Sequence, residues 1–378
     1  MRAHSDVVII GGGAVGTSIA YHLASNGASV TIVERDSIAS HASGFSGGLL
    51  NPTSEIGKLV PLHHQSFRMH EEMLDRVQEE SGIDAQVLRM PHIELALTED
   101  DVEVQKADLR RISYFPDFKS DWLEPDDIRK LEPRITEDLY GGVLVEDVII
   151  LDSYNLTLAT SRAAELHGAE IVLREATGII YENDRAVGVE LGPDRINCEA
   201  VVLALGPWSG AASLWLDIDV PIAPQKGELV RLKGFDRPLG FHLRSHYSGM
   251  HSSAYQKADG LLWMGATRMD GSGFDTVPTG DALERISSIG IRMIPELESH
   301  RVVLQTACLR PVTPDGDPIL GRVPGKDALF IATGTAGQGI LLAPVIGRAI
   351  SDLVTTGETD VDISPFGFER FSGLGSDL

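Results

Sequence analysis

Cysteine is scarce in this chain. Only Cys198 and Cys308 occur among 378 residues, which excludes a disulfide framework and fits a reducing compartment, so a cytoplasmic protein is expected. Basic residues are also in short supply: 32 Lys and Arg stand against 55 Asp and Glu, a net charge of -23. A nucleic-acid partner is therefore not expected, since no basic stretch survives to neutralise phosphates. Any anionic small molecule must instead be caught by locally placed Arg or Lys. No uninterrupted apolar run reaches membrane-spanning length, and with the first strand starting so early no signal peptide is expected. Repeats and low-complexity linkers are absent. With 43% hydrophobic residues the chain reads as a globular protein, long enough for two domains.

The segment Val7 to Glu34, VVIIGGGAVGTSIAYHLASNGASVTIVE, is the clearest positive signal. It reads as strand, glycine turn, helix, strand and terminal acid. Gly11 permits the tight turn, Gly13 lets a pyrophosphate approach the backbone, and Gly16 lets the helix lie close to the sheet. A helix opening at Ala14 and Val15 aims free N–H groups and its positive dipole end at phosphates. Glu34, with Arg35 beside it, is placed to accept hydrogen bonds from ribose hydroxyls. An adenine dinucleotide is expected here.

A loop of small residues follows, in which Ser43, Gly44, Ser46, Gly47 and Gly48 offer hydroxyls and bare backbone that can close over the ligand. The apolar spacing from Leu59 to Glu80 predicts an amphipathic helix stopped by Gly82. Its His63, His64 and His70 lack Cys or carboxylate companions at ligand spacing, so they are read as solvated and no metal is expected. Strands are predicted near 93–97 and 143–151, at Glu170 to Leu173, over 178–191, and from Val201 toward Gly206. β character rises from Val220 to Gly265, where segments 227–232, 248–256 and 260–267 suggest an antiparallel sheet. A helix over Gly280 to Ile294, a strand, a second glycine turn and a last helix complete the chain. Cofactor-type segments thus lie at both ends, with β-rich material between.

Two late blocks carry a specific resemblance: LRPVTPDGDPILG, Leu309 to Gly321, and GTAGQGILLAPVIGRAISDLV, Gly334 to Val354. With the N-terminal fingerprint, they make the chain resemble the D-amino-acid oxidase-like (DAO) FAD-dependent oxidoreductases. Within these it resembles the glycine oxidases and, more distantly, the monomeric sarcosine oxidases. The resemblance is weakest between about Ser54 and Asp147. It implies an α/β fold with an α+β insert: a Rossmann-like FAD-binding domain (1–55, 145–219 and 305–378) interleaved with an antiparallel β-sheet substrate domain (56–144 and 220–304).

It further implies that Gly334, Gly337, Gln338, Gly339 and Ile340 face the flavin, and that Val172, Leu205, Gly206 and Trp208 belong to the cofactor site. Arg310, in the Leu-Arg-Pro step, would pair with a substrate carboxylate, for which a guanidinium fork is suited. A structural salt bridge to one of the many acids is the other reading. His251, Ser253, Tyr255 and Gln338 are the remaining substrate-site candidates, with an ordinary strand surface as the alternative for His251 and Tyr255. Cys308 matches the flavin-linked cysteine of the sarcosine oxidases. Both a covalent link there and non-covalent FAD stay open. Trp263 falls where those enzymes carry an oxygen-activating lysine.

The function implied is FAD-dependent oxidation of the C–N bond of a small carboxylated amine (glycine, a D-amino acid or a sarcosine-like substrate). The imine formed would hydrolyse to a keto acid plus ammonia or an amine. The electron acceptor is oxygen or, in a dehydrogenase of the same family, a quinone or carrier protein. A 2-hydroxy acid substrate, a non-catalytic flavin-binding subunit and a homo-oligomer are also compatible with these residues.

Overall fold

The computed structural model describes residues 2–53, 57–112, 118–247 and 249–371. Ser248, at the start of the predicted strand 248–256, lies outside them, as do residues 1, 54–56, 113–117 and 372–378. Two sheets dominate. The first runs in spatial order Ile319–Arg322, Leu329–Thr333, Asp194–Leu203, His4–Ile10, Val30–Glu34 and Glu170–Leu173. Its inner pairings are parallel, and Ile319–Arg322 closes one edge antiparallel. Parallel strands buried on both faces need near-continuous apolar sequence, which Val7 to Ile10 and Val201 to Leu203 supply, all at 3% exposure or less. The predicted 178–191 meander is present as Gly178–Glu182 and Arg185–Leu191, joined to the start of Asp194–Leu203.

One face of this sheet is covered by the helices Ala14–Ser25, Ser153–Leu166 and Gly339–Thr355, with Val60–Ser81 packed over the last two. Residues 336–355 are long and apolar enough to cross a membrane by length and composition, but 61% of the most apolar stretch is buried inside the fold. Val60–Ser81 ends at Gly82, which takes the left-handed conformation (φ 71°). Its histidines correct the sequence reading: His63 and His70 are fully buried rather than solvated. His70 Nε2 lies 3.0 Å from the Ile340 carbonyl and 3.1 Å from that of Leu341, so it acts as a donor that ties two helices together. No metal-binding cluster exists among the described residues.

The second sheet has the order Val302–Val312, Ala223–Lys233, Leu261–Gly265, Met250–Gln256, His242–Tyr247, Leu88–Ala96, Gly141–Ile150 and Leu49–Leu50, with Ser120–Leu123 against Gly141–Ile150. It is antiparallel except where His242–Tyr247 runs parallel to Leu88–Ala96. The alternation of strand residues gives it two faces. Val230, Leu232, Ala254, Leu262 and Met264 pack beneath the helix Gly280–Met293 through Ile286, Ile289 and Met293. The other face, carrying Gly227, Leu229, Ser253, Tyr255, Cys308 and Arg310, turns toward the glycine fingerprint of the first sheet.

Candidate active site

A cavity of about 430 Å³ lies between the two sheets, and a second of about 280 Å³ adjoins it, the two sharing Gly13, Ser43 and Gly206. The fingerprint glycines are there because nothing larger fits. Gly11 has φ 119°, and a Cβ on it would stand 2.2 Å from the Ala204 carbonyl oxygen. A Cβ on Gly16 would stand 2.0 Å from the Gly11 oxygen. The helix Ala14–Ser25 therefore begins tight against the sheet, and its N-cap residue Gly13 has no side chain to cap it. Ala14 N–H donates to Ser43 Oγ at 2.9 Å. Glu34 is braced by the N–H groups of Gly12 (2.7 Å) and Asp36 (2.8 Å), which fixes its carboxylate on the wall of the smaller cavity.

The larger cavity is floored by Gly13, Ala14, Val15 and Gly16 and flanked by Ser43, Ser46, Gly47, Gly48 and Gly206. Gly337, Gln338, Gly339 and Ile340 open onto the same space at the uncapped start of Gly339–Thr355. Two helix starts whose N-cap residues bring no capping side chain, a braced carboxylate and two adjoining cavities form a set suited to a dinucleotide. Leu205, Arg35 and Trp208 line the smaller cavity, Arg35 lying over the Trp208 ring at 4.8 Å. Three further candidates are not among the residues that line the two cavities. Val172 is in the core, and Arg174 to Ala176 take the wall in its place. Gly44 packs against Ala39 and Tyr154, and Gly334 against Thr313 and Pro318.

Opposite the fingerprint, Val302–Val312 places Cys308 and Arg310 on the wall. Arg310 is partly buried, and Gly227 on the neighbouring strand makes its room: a Cβ there would lie 2.5 Å from the guanidinium. Its Nη1 donates to the Thr267 carbonyl at 2.8 Å and lies 3.5 Å from Gln225 Oε1. No carboxylate pairs with it among the described residues, so the alternative of a structural salt bridge has no partner here. Burial pushes the Arg310 pKa down, with the Arg268 charge acting in the same direction. Burial likewise pushes the Cys308 thiol up, opposed by Arg310.

Ser253, His251 and Tyr255 share the wall. Tyr255 donates its hydroxyl to the Gly47 carbonyl at 3.1 Å, which ties the glycine loop to the second sheet. Trp263 is not on the wall. It is buried between Arg231 and Lys257, whose charged ends lie 3.7 and 3.9 Å from its ring centre. Several wall residues have no sequence signal of their own: His242, Arg244, Met250, Arg268 and Arg285. Register alone brings Arg244 beside Ser253. His242 Nδ1 meets His92 Nδ1 at 2.7 Å, while its buried Nε2 finds no partner among the described residues.

A family model described as "DAO: FAD dependent oxidoreductase" matches residues 6–353. Glycine oxidase of Bacillus licheniformis is 29% identical over 359 residues, 94% of each chain. That of Pseudomonas aeruginosa is 30% identical over 371 residues, covering 95% of this chain and 97% of the relative. Among solved structures, glycine oxidase from Geobacillus kaustophilus superposes with a TM-score of 0.91 at 28% identity, over 98% of this chain and 99% of that one. The L-proline dehydrogenase from P. horikoshii, at 24% identity and a TM-score of 0.89, shares the fold over 98% of this chain and 99% of its own.

Proposed function

Because this chain belongs to the DAO family of FAD-dependent oxidoreductases, we propose that it oxidises the C–N bond of a small carboxylated amine bound on Arg310. The observation that carries this reading is the partly buried guanidinium without a carboxylate partner, facing a glycine-lined cavity. A charge held there without a counter-ion is costly unless a ligand supplies one. Bound FAD supplies the two-electron acceptor. Gly11 to Gly16, Glu34 and Ser43 would hold its adenosine and pyrophosphate, and Gly337 to Ile340 its ring end.

The protein's own part is mostly placement. Arg310 would grip the carboxylate in its fork, with one arm already fixed by the Thr267 carbonyl. Tyr255 holds the Gly47 loop against the second sheet through its hydroxyl. Among the described residues no Asp, Glu or Lys lines the cavity, which suits an amine that enters uncharged. The product imine would hydrolyse to a keto acid and ammonia or an amine. Within this reading the first sheet serves the cofactor and the second the substrate.

The test is an anaerobic screen of amino acids and N-methyl amino acids, following loss of the yellow flavin colour. Bleaching by at least one carboxylated amine is expected. Bleaching by none refutes the proposal. Comparing peroxide formation with dye reduction then identifies the acceptor.

A further inference from the structure

The chain carries 23 more acidic than basic residues, yet the larger cavity has the opposite character. Arg244, Arg268, Arg285 and Arg310 line it, and no Asp or Glu does among the described residues. These guanidinium groups differ in how they are compensated. Arg244 has Glu94 behind it, with Nε to Oε2 at 3.5 Å. Arg285 stands 3.9 Å from Asp281. Arg268 and Arg310 have no ion pair among the described residues, and they are neighbours on one cavity: Arg310 Nη1 donates at 2.8 Å to the carbonyl of Thr267, the residue before Arg268. Arg310 sits inside and Arg268 at the exposed rim.

One carboxylate balances one of these two charges. In the reading above the pyrophosphate rests on the helix start at Gly13 and Ala14, so it is not assigned to the other. Two neighbouring guanidinium groups that repel each other when empty are both satisfied by a ligand with two anionic ends.

We propose that the substrate is a dianionic amine: an amino acid carrying a second carboxylate, on its side chain or its nitrogen, with the inner carboxylate on Arg310 and the outer on Arg268. This rests on the amine-oxidation reading of the same site and departs from the single carboxylate of glycine. Arg268 acts as a specificity determinant at the mouth, and Arg244 adds to the same positive field.

Two measurements on the holoenzyme test it. The first compares kcat/KM for glycine and alanine with that for aspartate, glutamate and N-carboxymethylglycine, using both enantiomers where they exist. The dicarboxylic amines are expected to lead, and Arg268→Gln to lower the dicarboxylate-to-monocarboxylate ratio about five- to tenfold through KM, as for one partly solvated guanidinium–carboxylate pair. Arg268→Lys should restore part of the ratio. The second titrates the flavin absorption band with malonate and succinate against acetate. Tighter binding of the dicarboxylates, lost in Arg268→Gln, supports the proposal.

Equal or better turnover of monocarboxylic amines, with a ratio unmoved by Arg268→Gln, overturns it and leaves amine oxidation standing. If no amine bleaches the flavin, amine oxidation fails. The titration then still decides whether the mouth selects dianions.

Discussion

Arg310 and Cys308 lie two residues apart on one strand and face the same cavity, and burial disfavours the charged form of both, with different consequences. The guanidinium keeps its charge and lacks a counter-ion, so it should matter for ligand and little for folding. Arg310→Ala is expected to cost about 2–4 kcal/mol in kcat/KM while leaving the thermal midpoint unchanged or slightly raised. A large loss of stability would instead identify a structural ion pair. For Cys308, burial favours the thiol over the thiolate, and the thiolate is the nucleophile. FAD should therefore stay non-covalent: acid precipitation is expected to leave the yellow colour in the supernatant, and Cys308→Ser to keep its flavin content.

At the scale of elements, two helices from opposite ends of the chain bring their starts to one cavity. Ala14–Ser25 and Gly339–Thr355 pack closely because Gly347 has no side chain. A Cβ there would lie 2.3 Å from Ser18 Oγ and 2.9 Å from the His22 ring. Gly347→Val should overpack this contact and destabilise the fold by about 1–3 kcal/mol, seen as a lower thermal midpoint. Flavin retention should fall with it, since both helix starts line the cofactor space. An unchanged midpoint would mean that the helices can separate without cost. His70 serves the same assembly from a third helix through its bonds to the Ile340 and Leu341 carbonyls.

For the molecule as a whole, the buried histidines set an acid limit. Burial pushes His63 and His70 down to about 4, from 6.5 in an unfolded chain. Between these values the unfolded chain binds protons that the folded one does not. Stability is therefore complete above pH 6.5 and is lost as pH falls toward 4, by up to about 3 kcal/mol for each histidine. Thermal midpoints measured from pH 7 to 4.5 should show this fall. His70→Gln keeps an N–H donor for the two carbonyls and should flatten the slope. A flat wild-type profile would mean that these rings are not buried as described.

Some of this was legible in the sequence because the physics is local. Gly11, Gly16 and Glu34 sit in one continuous segment whose strand period, turn and helix period agree, and Leu309-Arg310-Pro311 is a contiguous step. The histidines of Val60–Ser81 were misread, since spacing reports which residues share a helix face and not what later covers it. Val172 packs in the core while Arg174–Ala176, just past the strand end, line the smaller cavity, because alternation along a strand sends only every second side chain to a given face. Arg244 and Arg268 were invisible as site residues for a similar reason. Each is an ordinary arginine in its own segment, and only the pairing of His242–Tyr247 with Met250–Gln256, and the return of Val302–Val312 alongside Ala223–Lys233, gathers them around one space. The sequence by itself determined the dinucleotide turn and the strands able to bury both faces. The charge of the cavity was decided by tertiary structure, because a field is the sum over groups that meet only after the strands have found their register.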